Sequence, residues 1–464
     1  MITPRQRRVA LLVAGCFFME NLDGTIVTTA APRIGADLHV PSSAVGLVIT
    51  AYLMTLAVLI PLSGWLTARF GTRTVFLAAI VTFTAASLLC SASDSLAELV
   101  AMRVLQGAGG AMMVPVGRLT VLARAEKSDI MRLVAYIVWP GLVAPVIAPL
   151  AGGLITTYAS WRWLFLINLP LGVVAFTVAL RVVPVTAPAN PPRLDVTGVI
   201  LTCAGLAGLT YGAHLLAEPD VPWPLTAVTV VAAVALLTVT TVHLLGAADP
   251  LVDLRTLRIT TFRAAVGGGS LFWIMVSAVP FLLPLLFQNV FGWSPVKSGA
   301  VVLFIFVGNI GIKPATTFLL NRFGFRVVLT AAAATAAATL LAAACFTAAT
   351  PLVLIALVAL VSGVARSVGL SGYSTLAFSD VPDNEMRHAN ALNATSQQLC
   401  AGLGIAAATV ALRAGDPVAS LFTAHPTQAS AYTVAFVLLA LFALAAAGGA
   451  LRLHPDSGDS VRAR

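Results

Sequence analysis

The sequence predicts an all-α polytopic membrane protein, a bundle of fourteen transmembrane helices, and three observations carry that prediction. Hydrophobic residues fill 59% of the 464 positions and charged residues only 10%, outside the balance of a soluble domain that must surround one core with polar surface. Mean hydropathy is +0.96, and apolar runs of about 20 residues, enough helix to cross roughly 30 Å of hydrocarbon, recur between short polar breaks. The alternation of a membrane β-barrel is absent, so the spans are helices, which satisfy their backbone N–H and C=O groups internally.

In chain order, helices are expected at 9–31, 44–66, 74–92, 98–122, 133–157, 163–181, 195–215, 223–246, 261–288, 298–320, 327–346, 351–378, 391–412 and 430–451. The opening "MITPRQRRVALLVAG" has the basic start and apolar run of a secretory leader. The run is long, contains Glu20 and Asp23 and is followed by many equal spans, so it reads as an uncleaved first helix. Cys16, Cys90, Cys203, Cys345 and Cys400 all fall in apolar spans without metal-ligand or secreted-type spacing, and read as small packing residues. The net charge of +9 is not a nucleic-acid signal, because the basic residues sit in short loops. With a cytoplasmic amino terminus, nineteen of the 27 Lys and Arg lie inside, including Arg5, Arg7, Arg8, Arg69, Arg73, Arg124 and Lys127. Four (Arg33, Arg162, Lys297, Arg413) lie outside and four within spans. This asymmetry predicts a multi-pass protein of the cell membrane with both termini cytoplasmic.

The stretch "ARFGTRTVFL" after the second helix returns as "NRFGFRVVL" after the tenth: Arg69, Phe70, Gly71 and Arg73 match Arg322, Phe323, Gly324 and Arg326. Both copies occupy a cytoplasmic loop after an outside-to-inside span, so the match reads as a duplication. The expected organisation is a six-helix bundle at 1–182, a two-helix insert with Pro-rich approaches at 183–250, and a second six-helix bundle with a short tail at 251–464.

Polar groups inside spans are costly and point to function. Glu20, Asp23 and Gly24 share one face of helix one, with Asn21 and several threonine hydroxyls nearby. Such acids either exchange protons in a cavity or pair permanently with an Arg from another helix. Helix four carries Arg103 and Gln106 ahead of small residues, and Arg118 near its inner end reads as a snorkelling side chain. Lys313 and Arg366 stand in helices ten and twelve, while Phe272 and Trp273 of helix nine are candidates for cavity walls. Helix five repeats small residues every fourth position, Ala144, Ala148 and Gly152, interleaved with Pro145, Pro149 and Gly153, a pattern for close packing and a kink.

Taken in order, "LDGTIVTTAAP", "GWLTARFGTR", "RVLQGAGGAMM" and "APVIAPLAGG" followed by "WRWLFLINLPLG" resemble the major facilitator superfamily, specifically its fourteen-helix drug:proton antiporters, over nearly the whole chain. The resemblance implies two six-helix bundles that rock about a central cavity. It places the family's helix-one acid at Asp23 and a role in proton coupling at Arg103; Glu20 joins them by position alone. It implies gating roles for Gly64, Arg69, Gly71 and Arg73, for the second copy's Arg322 and Arg326, and for Pro145, Pro149, Gly152 and Gly153. The chain departs from the pattern at Ala68 and Asn321, where the family has an acid before the first Arg, and at Ala144 and Ala148, where it has glycines.

The function expected is export of drug-like or antibiotic small molecules in exchange for protons. Asp23, Glu20 and Arg103 couple the proton, and Asn21, Gln106, Phe272, Trp273, Lys313 and Arg366 are candidates for the substrate cavity. Four deep basic residues against two acids would equally suit a proton-coupled transporter of a specific anionic metabolite. A polytopic membrane enzyme would need a polar catalytic cluster, and the six histidines offer no paired ligand spacing. A phosphate-binding Gly-rich loop with Lys is also missing, so the expected energy source is the proton gradient, with no cofactor, no nucleic acid, and a lipid-embedded monomer as the working form.

Overall fold

The computed structural model describes residues 4–40, 45–122, 125–185, 194–217, 221–293, 295–420 and 428–461. Arg124, Arg193 and most of the Pro-rich approach to the seventh span lie outside the described residues, as do the side chains of Thr28, Thr29, Pro145 and Pro149. The helices are α1 (Pro4–Asp37), α2 (Gly46–Phe70), α3 (Thr72–Ser91), α4 (Leu96–Leu122), α5 (Lys127–Tyr158), α6 (Trp163–Val182) and α7 (Val196–Ala217). They continue as α8 (Trp223–Gly246), α9 (Thr260–Asn289), α10 (Pro295–Gly311), α11 (Lys313–Ala344), α12 (Leu352–Ser379), α13 (Met386–Ala419) and α14 (Gln428–Leu451). The described residues contain fourteen helices and no strand, twelve of the helices long and apolar enough to cross a membrane, and the protein is an all-α membrane bundle.

Boundaries shift where proline and glycine act. The expected tenth span combines α10 with the first part of α11, since Ile312 keeps right-handed backbone angles (φ −80°, ψ −15°) at the junction. Pro314, without an N–H to donate, interrupts the helical ladder there. Gly324, at φ 78° and ψ 163°, then ends this span and starts the eleventh within α11. The first half shows the same punctuation. A 3₁₀ turn at Ile60–Leu62, built on Pro61, breaks α2, and Gly71, at φ 79° and ψ 149°, separates α2 from α3. Pro61 and Pro314 are separated by the same 253 residues as Gly71 and Gly324. The duplication is therefore a repeat of backbone conformation as well as of sequence.

Two compact units are distinguished: Met1–Tyr211 with Thr229–Thr256 and Pro382–Thr395, and Gly212–Val228 with Leu257–Val381 and Ser396–Arg464. In the first, α4 lies backbone-close to its neighbours. A Cβ on Gly107 would stand 2.9 Å from the Tyr52 carbonyl oxygen, and one on Gly109 would stand 2.6 Å from the Phe83 nitrogen. Lipid tails are as apolar as Leu, so helices associate here through such close packing rather than by leaving water. Apolar side chains such as Phe76, Phe83, Met113 and Val116 fill one end of the unit, and Leu22, Ile26, Leu99 and Phe165 another. Asp195 caps α7 by accepting the Gly198 N–H at 2.8 Å and ties it to the end of α8 through His243 at 2.8 Å. In the second unit α10 and α12 cross in backbone contact: a Cβ on Gly308 would lie 2.0 Å from the Leu360 carbonyl oxygen, and one on Gly363 1.8 Å from that of Ile305.

Candidate functional site

Five helices of the first unit converge on Asp23. It sits just past the middle of α1, fully buried at 1% exposure. Its Oδ2 accepts the Arg103 guanidinium of α4 in a short charged hydrogen bond. Its Oδ1 accepts Gln106 Nε2 at 2.9 Å, one helical turn further along α4, and Asn168 Nδ2 at 2.7 Å from α6. Asn168 is available because α6 breaks at Ile167, and Asn168 opens its second segment two residues before Pro170.

The remaining contacts orient these groups. Gln106 Nε2 also donates to Ser87 Oγ of α3 at 2.7 Å, and Gln106 Oε1 accepts Arg103 Nη1 at 2.8 Å. Arg103 Nε donates to the Val48 carbonyl of α2 at 3.2 Å, and the guanidinium stacks 4.2 Å from the centre of the Tyr52 ring. One carboxylate and one guanidinium thus form a charge-neutral cage closed to solvent, with Arg103, Gln106 and Asn168 at 0% exposure. Both Asp23 oxygens are engaged, Oδ2 by Arg103 and Oδ1 by Gln106 and Asn168. Two atoms stay unsatisfied, Arg103 Nη2 and Asn168 Oδ1.

The sequence named Asp23, Arg103 and Gln106 for this region, and the structure brings them together. Arg103 does not snorkel. Nor does Arg118, which is 6% exposed and interacts electrostatically with Glu20. The carboxy-terminal part of α4, from Met112 to Leu122, is buried, and a Cβ on Gly117 would touch Val13 at 2.8 Å. Glu20 is half-buried outside the cage, one turn before Asp23, with Oε2 buried and unbonded. Asn21 donates to the Phe17 carbonyl of its own helix at 2.9 Å. In the second unit Lys313 Nζ donates to Ser371 Oγ at 2.6 Å and Arg366 Nη1 to the Val276 carbonyl at 3.1 Å. Phe272, expected at a cavity wall, is fully buried, its ring tilted against Tyr373 and lying over Gly369, where a Cβ would meet it at 2.3 Å. That ring packs α9 on α12; Trp273 beside it is half-buried.

Among the residues assigned to gating, Arg73 donates to the Leu180 carbonyl at 2.7 Å, capping the end of α6 where the helix dipole favours a cation. Arg69 and Arg322 are exposed and Arg326 half-buried. Gly64 approaches the Arg387 carbonyl oxygen at 3.8 Å from a would-be Cβ, and Pro145 and Pro149 lie within an uninterrupted α5. Gly152 is buried, and nothing lies within 4 Å of a Cβ on Gly153. Ser87, Tyr52 and Asn168 were not singled out from the sequence. Asn168 lies in the quoted "INLPLG", and an amide two residues before a proline inside a span is a signal for it. Ser87 and Tyr52 resemble any other residue of an apolar helix.

Beyond the span end of α1, Arg162 bridges Asp37 at 2.6 Å and Asp94 at 3.1 Å, and Trp161 Nε1 donates to Asp37 at 2.8 Å. The Trp161 hydrogen bond, with that of Arg162, holds the Asp37 carboxyl below its ordinary pKa.

Residues 13–405 match the family model of the Major Facilitator Superfamily, and the chain belongs to that family: it is a membrane transporter and not an enzyme. It is 32% identical over 456 residues to the probable transport protein HsrA of Haemophilus influenzae, covering 98% of both chains. It is 36% identical over 404 residues to the putative multidrug resistance protein MdtD of Pectobacterium atrosepticum, covering 86% of each. In fold it is similar to the human organic anion transporter MFSD10, with a TM-score of 0.67 at 14% identity over 97% of this chain and 100% of that one.

Proposed function

We propose that this transporter is a secondary exporter of drug-like small molecules, driven by protons moving inward through alternating access. The observation that carries the reading is the Asp23 cage: a carboxylate at 1% exposure, held by Arg103, Gln106 and Asn168. Protonating Asp23 removes the charge that holds Arg103, so the proton acts differently on a conformation that keeps this contact and on one that gives it up. Only such a differential interaction shifts a conformational equilibrium. Names given to relatives, a multidrug resistance protein and a transport protein, support an exporter of small molecules. The distribution of Lys and Arg supports cytoplasmic termini in the cell membrane.

The test is reconstitution of the full chain into liposomes with an imposed proton gradient and a panel of cationic dyes, zwitterionic antibiotics and organic anions. Gradient-driven movement of at least one class is expected, and its loss in Asp23→Asn. Transport and pH dependence that survive Asp23→Asn would show that the proton site lies elsewhere.

A further inference from the structure

The first turns of α13 are bound into the first unit. Residues Pro382–Thr395 group with that unit, whereas α13 from Ser396 onward groups with the second. The residues that bind them all belong to the first unit. Asn390, 2% exposed, donates Nδ2 to the Pro115 carbonyl of α4 at 2.9 Å. His388 Nδ1 accepts the backbone N–H of Asp253 at 3.1 Å. A Cβ on Gly64 of α2 would stand 3.8 Å from the Arg387 carbonyl oxygen. Ala391, 1% exposed, joins Leu244, Leu251 and Val252 in one buried apolar cluster, with Leu62 and Trp65 packed against it.

The two-helix insert supplies one jaw of this contact. Leu251, Val252 and Asp253 lie in the linker that follows α8, and Asp195 at the start of α7 fixes that linker by accepting the Leu251 N–H at 3.4 Å. The same carboxylate meets His243 at 2.8 Å, so the ends of α7 and α8 and the linker form one structure. The other jaw is underbonded: Asn390 Oδ1 and Asn393 Nδ2 are buried without partners. A buried polar group left unmet costs free energy, which water returns when the surface opens, and a permanently closed interface loses little by having apolar groups in such places. Two unmet amide atoms on one helical turn therefore mark a contact that opens. Because α13 is one helix from Met386 to Ala419, a conformational change that moves its later part pulls on these first turns.

We propose that the insert and the linker after α8 form a clasp that closes on residues 386–395 in this conformation and releases them in another, so that the insert acts on the conformational cycle of the transporter. The proposal rests on the reading of transport as alternating access and is independent of the proton site and of the substrate.

The test uses full-length protein with Cys345→Ser, reconstituted in liposomes, and follows N-ethylmaleimide labelling of Ala391→Cys above the rate of the background protein. Ala79→Cys, at a site of α3 that is 4% exposed, is the control. Labelling at position 391 is expected to run at least tenfold faster than at position 79, because the clasp opens and the core does not, and Asn390→Ala is expected to speed it at least threefold further. Equal rates overturn the proposal: equally slow labelling means that the clasp stays shut, and equally fast labelling that the whole fold opens. In a second measurement Asp253→Cys and His388→Cys are combined and joined by a short bismaleimide. Bridging is expected to abolish gradient-driven dye transport, which each single variant retains after N-ethylmaleimide treatment; transport that survives the bridge overturns the proposal. Where no dye moves even in the wild type, the transport reading fails, and the comparison of positions 391 and 79 still decides the clasp.

Discussion

At the scale of single residues, the Asp23–Arg103 pair is a strongly asymmetric arrangement. With both partners present, the charges and hydrogen bonds compensate for lost solvation; with one removed, the other becomes an uncompensated buried charge. Arg103→Met is therefore expected to destabilise the protein by about 3–5 kcal/mol. The double variant Asp23→Asn, Arg103→Met should recover a substantial part, a coupling that melting midpoints of the four proteins in a cycle would measure. Additive losses would mean that the pair is not coupled. Asp23, Arg103 and Gln106 are legible in the sequence because a charge or an amide inside an apolar run is costly to keep and draws the eye. Ser87 and Tyr52 are not, since a hydroxyl in a span can bond its own helix, as Thr55 does to Ala51 at 2.7 Å. Which of the deep basic residues meets an acid is equally hidden, because pairing depends on which helix faces which. Arg103 finds Asp23 across 80 positions of sequence, while Arg366 finds a carbonyl.

At the scale of elements, Gly71 and Gly324 fix the turns between the second and third and between the tenth and eleventh spans. Their φ near +80° with ψ near 150–160° belongs to a region that side chains with a Cβ avoid, so Gly71→Ala and Gly324→Ala should each cost about 1–3 kcal/mol. Matching falls in melting midpoint would also bear on the equivalence of the two turns. The N-cap of α7 offers a pH test. Burial pushes the Asp195 carboxyl up, but hydrogen bonds from His243 and from the N–H groups of Gly198 and Leu251 outweigh it and leave the pKa below its ordinary 3.8. A carboxyl lowered on folding stabilises the fold fully above its unfolded pKa and loses that contribution as pH falls through the folded value. Asp195→Asn keeps a capping oxygen and removes the charge. The wild type should therefore be the more stable at pH 6, with the gap closing below about pH 4 in melts across that range. Element existence is legible from hydropathy throughout, because each span must cover the same hydrocarbon thickness. The internal breaks at Pro61, Ile167 and Pro314 are harder to foresee, since proline within a span is tolerated where neighbours satisfy the freed backbone groups.

At the scale of the molecule, the asymmetry of Lys and Arg predicts which loops face outward. Introduced into a Cys345→Ser background, because Cys345 is exposed, Ser160→Cys should react with a membrane-impermeant maleimide in intact cells, and Glu126→Cys only after permeabilisation. Labelling in the opposite pattern would invert the topology. The order of fourteen apolar runs is enough to define such a chain, whereas its compact units are not visible in the sequence, since residues Pro382–Thr395 group with the amino-terminal unit far from them in the chain. The matched breaks at Pro61 with Gly71 and at Pro314 with Gly324 have one more consequence, a matter of parity. The equivalent helices stand eight places apart in the order of spans, an even offset, so both copies cross the bilayer in the same direction and their arginines return to the same side. A single extra helix between the copies would have turned the second upside down, carrying Arg322 and Arg326 to the outer face against the charge rule. Any later gain or loss of helices between the copies is constrained to come in pairs.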